Sequence, residues 1–164
     1  MAILVAMTTA CSSLPERKSV GTYRIPLPKG NSVIEFPLKS FQVEKEDKTQ
    51  PWYSLSDKMS GLIVSFNFEP ATRCFDSKSC RDYFVKARWP ASKSFRTWRT
   101  SQVGEVYLLE LMFGPIGGDD LQQHHMFAHF VKDGVWVDVH LSKANYEETD
   151  RDLFLDFIRS IDIK

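Results

Sequence analysis

The sequence has no excess of charge of either sign. Its 164 residues include 21 basic and 21 acidic side chains, and residues 1–11 contain none of them, so the remainder is also neutral. A basic patch is the electrostatic footprint of a nucleic-acid-binding protein, and a polybasic face is what binds an anionic membrane surface. The composition therefore favours a protein with no nucleic-acid partner and no charge-driven contact with lipid.

Long apolar runs and internal repeats are also missing. No apolar run approaches the roughly 18 residues that span a bilayer. The chain does contain the material of a core, because 43% of its residues are hydrophobic and 12 are phenylalanine. These are the proportions of a globular protein, and the length suits one domain. We predict a single domain over residues 22–164.

Cysteine is scarce, and the first of the three follows a short apolar stretch. Residues 2–10 read AILVAMTTA, Cys11 comes directly after them, and the chain then turns polar. A short apolar stretch that ends in a small residue has the form of a signal peptide and its cleavage site. With cysteine next, the segment resembles the signal of bacterial lipoproteins, whose cysteine receives a diacylglycerol. The resemblance implies a signal peptide over 1–10 and a lipidated Cys11 that begins a tether over 11–21.

Two features depart from that lipoprotein pattern. Thr8 stands where the family prefers leucine, and no basic residue precedes Cys11, which leads to the hypothesis that translation starts upstream of Met1. The alternative interpretation is a buried N-terminal strand with Cys11 as an ordinary core thiol. The lipoprotein interpretation predicts a protein anchored in the bacterial cell envelope and facing the periplasm, on the inner or the outer membrane.

The other two cysteines, Cys74 and Cys80, flank the mostly polar segment FDSKS. In an oxidising compartment such a pair forms a short-loop disulfide, which a loop-entropy argument values at roughly 2 kcal/mol. A redox pair is an alternative, because Cys80 is expected near a helix N-terminus, where thiol pKa values fall. The spacing is not that of a CxxC motif, and two free structural thiols are a further alternative.

Hydrophobic periodicity predicts several antiparallel strands and about two amphipathic helices, the first capped by Ser79 and the second at the C-terminus. Residues 106–113 are apolar on both faces, which predicts a central strand of a covered sheet. Glu110 interrupts that strand, either as a buried acid with a raised pKa or as a residue that lies near a strand edge or pairs with an arginine. Asp133-Gly134 predicts a type I′ hairpin. The fold class is therefore α+β, an antiparallel β-sheet packed with about two helices.

The order of elements from residue 125 to residue 164 resembles a known family. A hairpin with an Asp-Gly turn is followed by Trp136, by a strand that ends in His140-Leu141-Ser142, by an acidic spacer and by a helix that closes with IRSI. This order is similar to that of the PsbP-like α/β/α sandwich family, which includes small bacterial DcrB-like lipoproteins. The resemblance implies a non-catalytic adaptor or assembly protein, and it transfers no set of site residues to this chain.

One group of side chains suggests metal chemistry. The register of a two-residue Asp133-Gly134 turn pairs His129 with Asp138 and Phe127 with His140, and strand alternation then puts four polar side chains on one face. Three imidazoles and a carboxylate can bind Zn²⁺ or Cu²⁺. The members of this predicted metal site are His125, His129, Asp138 and His140.

Two other interpretations of these histidines stay open. They can be ordinary polar side chains, solvated or covered by a helix, or His129 and Asp138 can form a pH-sensitive cross-strand pair. A looser group joins His124 and His125 with Asp119 and Asp120. We therefore predict a lipid-anchored envelope binding or assembly protein with an unknown envelope partner, no cofactor and no catalytic activity. The alternative is an envelope protein that binds Zn²⁺ or Cu²⁺.

Overall fold

The structure is a computed structural model, and it describes residues 21–47, 52–88, 95–113 and 123–164. Within these residues, antiparallel strands dominate, with one helix after the fifth strand and a second helix before the last strand. The elements are β1 (Thr22–Pro26), β2 (Val33–Pro37), β3 (Gln42–Asp47), β4 (Trp52–Asp57), β5 (Leu62–Pro70), α1 (Ser77–Arg88), β6 (Phe95–Val103), β7 (Val106–Phe113), β8 (Gln123–Lys132), β9 (Val135–Ala144), α2 (Asp150–Arg159) and β10 (Asp162–Ile163).

The strands form two antiparallel sheets. The large sheet has seven strands in the order β3-β4-β5-β9-β8-β7-β6, and the small sheet has three in the order β1-β2-β10. Strand β9 pairs with β5 on one side and with β8 on the other, so the predicted hairpin lies in the middle of the large sheet. A hairpin in this place has both of its faces available for packing.

One face of the large sheet forms the main core with α2 and the small sheet. Phe66 and Val139 are fully buried there. Phe36 of β2 stacks on Phe66 with a centroid distance of 5.3 Å, and its ring lies at the same distance from Phe157 of α2. Aromatic pairs in this range contribute about 1 kcal/mol beyond their area burial. Phenylalanine side chains therefore pack where the large sheet, the small sheet and α2 meet.

Helix α1 covers part of the opposite face. It packs on β7 and β8, and Phe84 lies 4.9 Å from the ring of Phe127 and 6.3 Å from that of Trp136. Cys74 and Cys80 belong to the same buried cluster. With α1 on one side of the large sheet and α2 on the other, the structure confirms the predicted α+β sandwich.

Helix α1 begins earlier than predicted, because Asp76 rather than Ser79 is its cap. The Ser79 N–H donates to Asp76 Oδ1 over 2.7 Å, and the Asp76 N–H donates to Ser79 Oγ over 3.1 Å. This is a reciprocal capping box. The Asp76 side chain accepts from the backbone N–H of Ser79, and the Ser79 side chain, three residues later, accepts from the backbone N–H of Asp76. The prediction of Ser79 as the cap was wrong. Aspartate and serine both favour the N-cap position, so the residue type alone does not distinguish Asp76 from Ser79.

Two elements differ from the predicted layout. Strand β7 is second from the edge of the sheet rather than central, yet it is apolar on both faces because Leu108 lies in the main core and Leu109 in the α1 cluster. The final helix ends at Arg159, before the predicted end at Ile161, and the chain then adds β10 to the small sheet. There the Lys164 N–H donates to the Val33 carbonyl over 3.0 Å.

Of the helices within residues 21–47, 52–88, 95–113 and 123–164, none is long and apolar enough to cross a bilayer.

Candidate functional site

The β8–β9 hairpin places the predicted site residues on one face of the large sheet. Asp133 has φ 53° and Gly134 has φ 72°, the two positive values that a type I′ turn requires. His129 pairs with Asp138, and Phe127 with His140. The turn and its register are therefore confirmed, and the predicted metal-site residues all lie on the face against which α1 packs.

His125 and His140 form a close pair on this face. His125 Nδ1 lies 2.8 Å from His140 Nε2, and His125 Nε2 lies 3.3 Å from Gln123 Oε1. The amide oxygen can only accept, so the consistent assignment is that His125 donates from Nε2 and accepts at Nδ1 from His140. Their rings are almost parallel, with centroids 5.1 Å apart, and the His140 ring also stacks on Phe127 at 4.4 Å.

Both imidazoles of this pair are held neutral. Burial lowers the pKa of His125 to about 4, and the neighbouring His124 adds to the effect. Burial also lowers the pKa of His140 to about 3, with a further contribution from His125. A charged imidazole would lose hydration against the surrounding aromatic rings. The pair is therefore a neutral hydrogen-bonded unit at physiological pH.

His129 and Asp138 form a second, more deeply buried pair. His129 is fully buried and Asp138 is 6% exposed, and His129 Nδ1 lies 3.7 Å from Asp138 Oδ1. The Trp136 indole N–H donates to His129 Nδ1 over 3.2 Å, and the Phe84 ring of α1 lies 5.1 Å from the imidazole. These contacts place the pair inside the α1 cluster rather than on an accessible surface.

The structure does not assemble the predicted metal site. Phe127 lies between His125 and His129 on β8, and its ring stacks on His140, so the proposed ligands remain two separate pairs. Within the described part of the chain, no group of three or more His, Cys, Asp or Glu side chains is arranged to hold a metal ion.

We therefore expect Zn²⁺ and Cu²⁺ to cause no rise in the thermal midpoint of the protein that depends on His140. A metal that binds the native state raises the midpoint by mass action, and two separated pairs offer no such site. The measurement is a melting curve with each metal and with a chelator, beside a His140→Ala variant. A rise of several degrees that His140→Ala abolishes would contradict this expectation and restore the metal hypothesis.

The cysteine loop is closed by a disulfide between Cys74 and Cys80, which are six positions apart. Both cysteines are buried, whereas Phe75 between them is 82% exposed. Closing a loop of this size stabilises the fold by about 2 kcal/mol in the loop-entropy account. The exposed ring of Phe75 was not singled out from the sequence, where the one available signal was an aromatic residue in an otherwise polar cysteine loop.

Glu110 lies at the centre of a buried ion cluster on the other face of the sheet. It is 1% exposed, and its Oε2 accepts from Arg99 Nε over 2.7 Å while its Oε1 accepts from Arg151 over 2.7 Å. Ser101 Oγ donates over 3.2 Å, and His124 Nε2 lies 3.6 Å away. The cluster ties β6, β7 and β8 to the first turns of α2.

The charge state of Glu110 is opposite to one of the two predictions. Burial alone would raise the pKa of its carboxyl, but the contacts of His124, Arg151 and Arg99 outweigh it and hold the pKa far below its usual range. The hypothesis of a buried acid with a raised pKa was therefore wrong, and the alternative of an arginine partner is correct. A carboxylate fixed by two guanidinium groups is unsuited to proton transfer near neutral pH.

Three predicted residues, Cys11, Asp119 and Asp120, lie outside the described residues. The lipidation of Cys11 and the loose group of Asp119 and Asp120 with His124 and His125 thus stay predictions.

A known solution structure shares the fold of this chain. The solution structure of cyanobacterial PsbP (CyanoP) from Synechocystis sp. PCC 6803 matches 94% of this chain and 99% of that chain, with a TM-score of 0.56 and 14% sequence identity. The chain has a PsbP-like fold. The crystal structure of LpqN, involved in cell envelope biogenesis of Mycobacterium tuberculosis, matches 88% of this chain and 90% of that chain, with a TM-score of 0.48 and 10% identity. No family model and no curated protein matches the sequence. The predicted PsbP-like resemblance is confirmed for the fold.

Proposed function

We propose that this chain is a lipid-anchored binding or assembly protein of the bacterial cell envelope, held on the periplasmic side of a membrane through Cys11. The observation that carries the proposal is the disulfide between Cys74 and Cys80. Disulfides persist in oxidising compartments such as the periplasm and are rare in the cytosol. The bond therefore supports export, which a lipoprotein signal would provide.

The number of cysteines supports the same proposal. The chain has three, and the disulfide takes Cys74 and Cys80, which leaves the thiol of Cys11 for a diacylglycerol. Cys11 also directly follows the apolar stretch over residues 2–10 and precedes a polar segment. One cysteine for the lipid and two for the bond account for every cysteine of the chain.

A binding role rather than catalysis is supported by the state of the acid–base groups. Glu110 is fixed as a carboxylate by Arg99 and Arg151. His125 and His140 are hydrogen-bonded to each other and neutral. A general acid or base needs a pKa near the operating pH and reach to a substrate, and these groups lack the first of these properties. The PsbP-like resemblance likewise implies an adaptor.

The test is the membrane attachment of the full chain, made from its own gene in its own bacterium. We expect the wild-type protein to sediment with membranes and its mature N-terminal peptide to carry lipid at Cys11 by mass spectrometry. Each buried methylene of an acyl chain contributes about 0.8 kcal/mol, so two chains make the attachment stable. Cys11→Ser should move the protein out of the membrane fraction.

A matched control uses the other two cysteines. The Cys74→Ser/Cys80→Ser double variant loses the same kind of side chain but keeps Cys11, and we expect it to remain with the membranes. If Cys11→Ser sediments like the wild type, or if the mature protein carries no lipid, the anchoring proposal is wrong. A protein that retains reduced thiols at Cys74 and Cys80 in the cell would remove its main support.

A further inference from the structure

Phe75 is displayed on a rigid loop. Its side chain is 82% exposed, although the two flanking cysteines are 3% and 0% exposed. The Phe75 N–H donates to Ser79 Oγ over 3.1 Å, and the disulfide closes the loop from Cys74 to Cys80. The backbone on both sides of the ring is therefore fixed. A fixed backbone reduces the conformational entropy that the loop loses when it binds a partner.

The segment that carries Phe75 and α1 is rich in basic residues although the whole chain is neutral. Residues 73–88 contain five basic and two acidic side chains, whereas residues 147–156 contain five acidic and one basic. Both acidic groups of the first segment have a partner, since Asp76 caps α1 and Asp82 pairs with Arg81. Arg73, which donates to the Tyr83 hydroxyl and is within electrostatic reach of Glu69, and the exposed Lys78 flank Phe75. The neutral composition thus conceals a basic segment and an acidic segment.

The loop lies at the end of the domain opposite to the entry of the chain. The Ala71 N–H donates to the Gly134 carbonyl over 2.9 Å, so the loop begins beside the β8–β9 turn. The β1–β2 turn is at the same end, because Gly30 lies in close contact with Asp133. Gly21 is at the other end of β1, where its carbonyl accepts from the Leu38 N–H. A chain that leads from an anchor to Gly21 would therefore enter the domain at the end opposite to the Phe75 loop.

We propose that Phe75, with Arg73 and Lys78, is the docking site for a partner protein that offers an apolar pocket with an acidic rim. The proposal rests on the proposed envelope function and names its partner by chemistry. The ring of Phe75 enters the pocket, as buried aromatic anchors do at the centres of interfaces. The two cations face the acidic rim, which steers association and fixes orientation. The position of the loop favours a protein over the anchoring bilayer.

The experiment places a photo-crosslinking amino acid, p-benzoylphenylalanine, at position 75 of the full chain in its own bacterium. We expect one protein adduct, whose crosslinked peptide contains apolar residues together with Asp or Glu. The matched control carries the same amino acid at Met59, which is 81% exposed and lies in the turn that precedes β5, at the other end of that strand. No adduct of that protein should form there.

Charge reversal makes the test specific. Lys78→Glu in the position-75 photoprobe protein should reduce the adduct about fivefold or more, because a like charge then meets the acidic rim. Lys86→Glu serves as its control, since Lys86 is also exposed on α1 but lies farther from Phe75 along the helix. Melting curves check that each variant remains folded, as expected for exposed positions.

The docking proposal would be overturned by equal adducts at positions 75 and 59, by an adduct to lipid, by an adduct to a second copy of this chain, or by an adduct that Lys78→Glu does not reduce. The Cys11→Ser variant separates this proposal from the anchoring proposal. An adduct at position 75 without lipid at Cys11 refutes anchoring alone, whereas a lipidated protein without the adduct refutes docking alone.

Discussion

Glu110→Gln is expected to lower the free energy of unfolding by about 3 kcal/mol, which is the usual cost of removing one partner from a buried ion pair. The substitution keeps the size of the side chain but removes the charge that faces Arg99 and Arg151 at 2.7 Å. Arg151 has a side chain only 26% exposed, so its cation would be left in a poorly hydrated place. The measurement is urea denaturation at pH 7.

Glu148→Gln is the matched control for this prediction. Glu148 also pairs with Arg99, at 3.5 Å, but its side chain is 72% exposed. Exposed pairs of this kind contribute less than about 1 kcal/mol. If Glu110→Gln lowers the free energy of unfolding no more than Glu148→Gln does, the buried cluster does not stabilise the attachment of α2 to the sheet.

The sign of the pH dependence follows from the lowered pKa of Glu110. A carboxyl whose folded pKa lies below its unfolded value of about 4.3 stabilises the protein fully above that value and loses this contribution as the pH falls. The wild type should therefore lose stability below about pH 4.5 more steeply than Glu110→Gln does. Equal acid sensitivity in the two proteins would show that the carboxyl is not specially stabilised in the fold.

The β8–β9 hairpin was predictable because its signals are local. Asp133-Gly134 fixes the turn, and the period of two in a strand then determines that His129 faces Asp138. The capping of α1 was harder, because Asp76 and Ser79 are both good caps and only the hydrogen bonds distinguish them. Local sequence rules thus predicted helix α1 but placed its first residue incorrectly.

Contacts between distant segments could not be predicted from one sequence. Arg151 lies 41 positions from Glu110, and nothing near either residue indicates the other. The exposure of Phe75 is equally non-local, because it depends on which surfaces the rest of the chain covers. The structure does not assemble the predicted metal site for a related reason. The register places the four predicted ligands on one face of the sheet, but the ring of Phe127 lies between the two pairs that they form.

Acidification from pH 7.5 to pH 5.0 is expected to destabilise the protein through His125 and His140, by about 2 kcal/mol for each imidazole. In the unfolded chain a histidine titrates near pH 6.5, whereas burial lowers the folded pKa of His125 to about 4 and that of His140 to about 3. A lowered histidine pKa gives full stability above pH 6.5, which is lost as the pH falls toward 4, because the unfolded state takes up protons first.

His140→Phe tests this expectation with little change in shape. The new ring can keep the stack on Phe127 that His140 makes at 4.4 Å, but it cannot take up a proton. Urea denaturation at both pH values should show that the variant loses about 2 kcal/mol less on acidification than the wild type. All other titratable groups are common to the two proteins, so the difference reports His140 and its effect on His125.

Phe127→Leu provides the complementary control for His140→Phe. It removes the stacked ring but leaves both imidazoles in place, so it should lower stability at pH 7.5 through lost packing, by about 1–3 kcal/mol. Because the histidines remain partly buried, most of the wild-type acid sensitivity should persist. If His140→Phe is as acid-sensitive as the wild type, the imidazole pair is not held neutral by the fold. The acid response would then have to come from groups elsewhere, with the Glu110 cluster tested separately below pH 4.5.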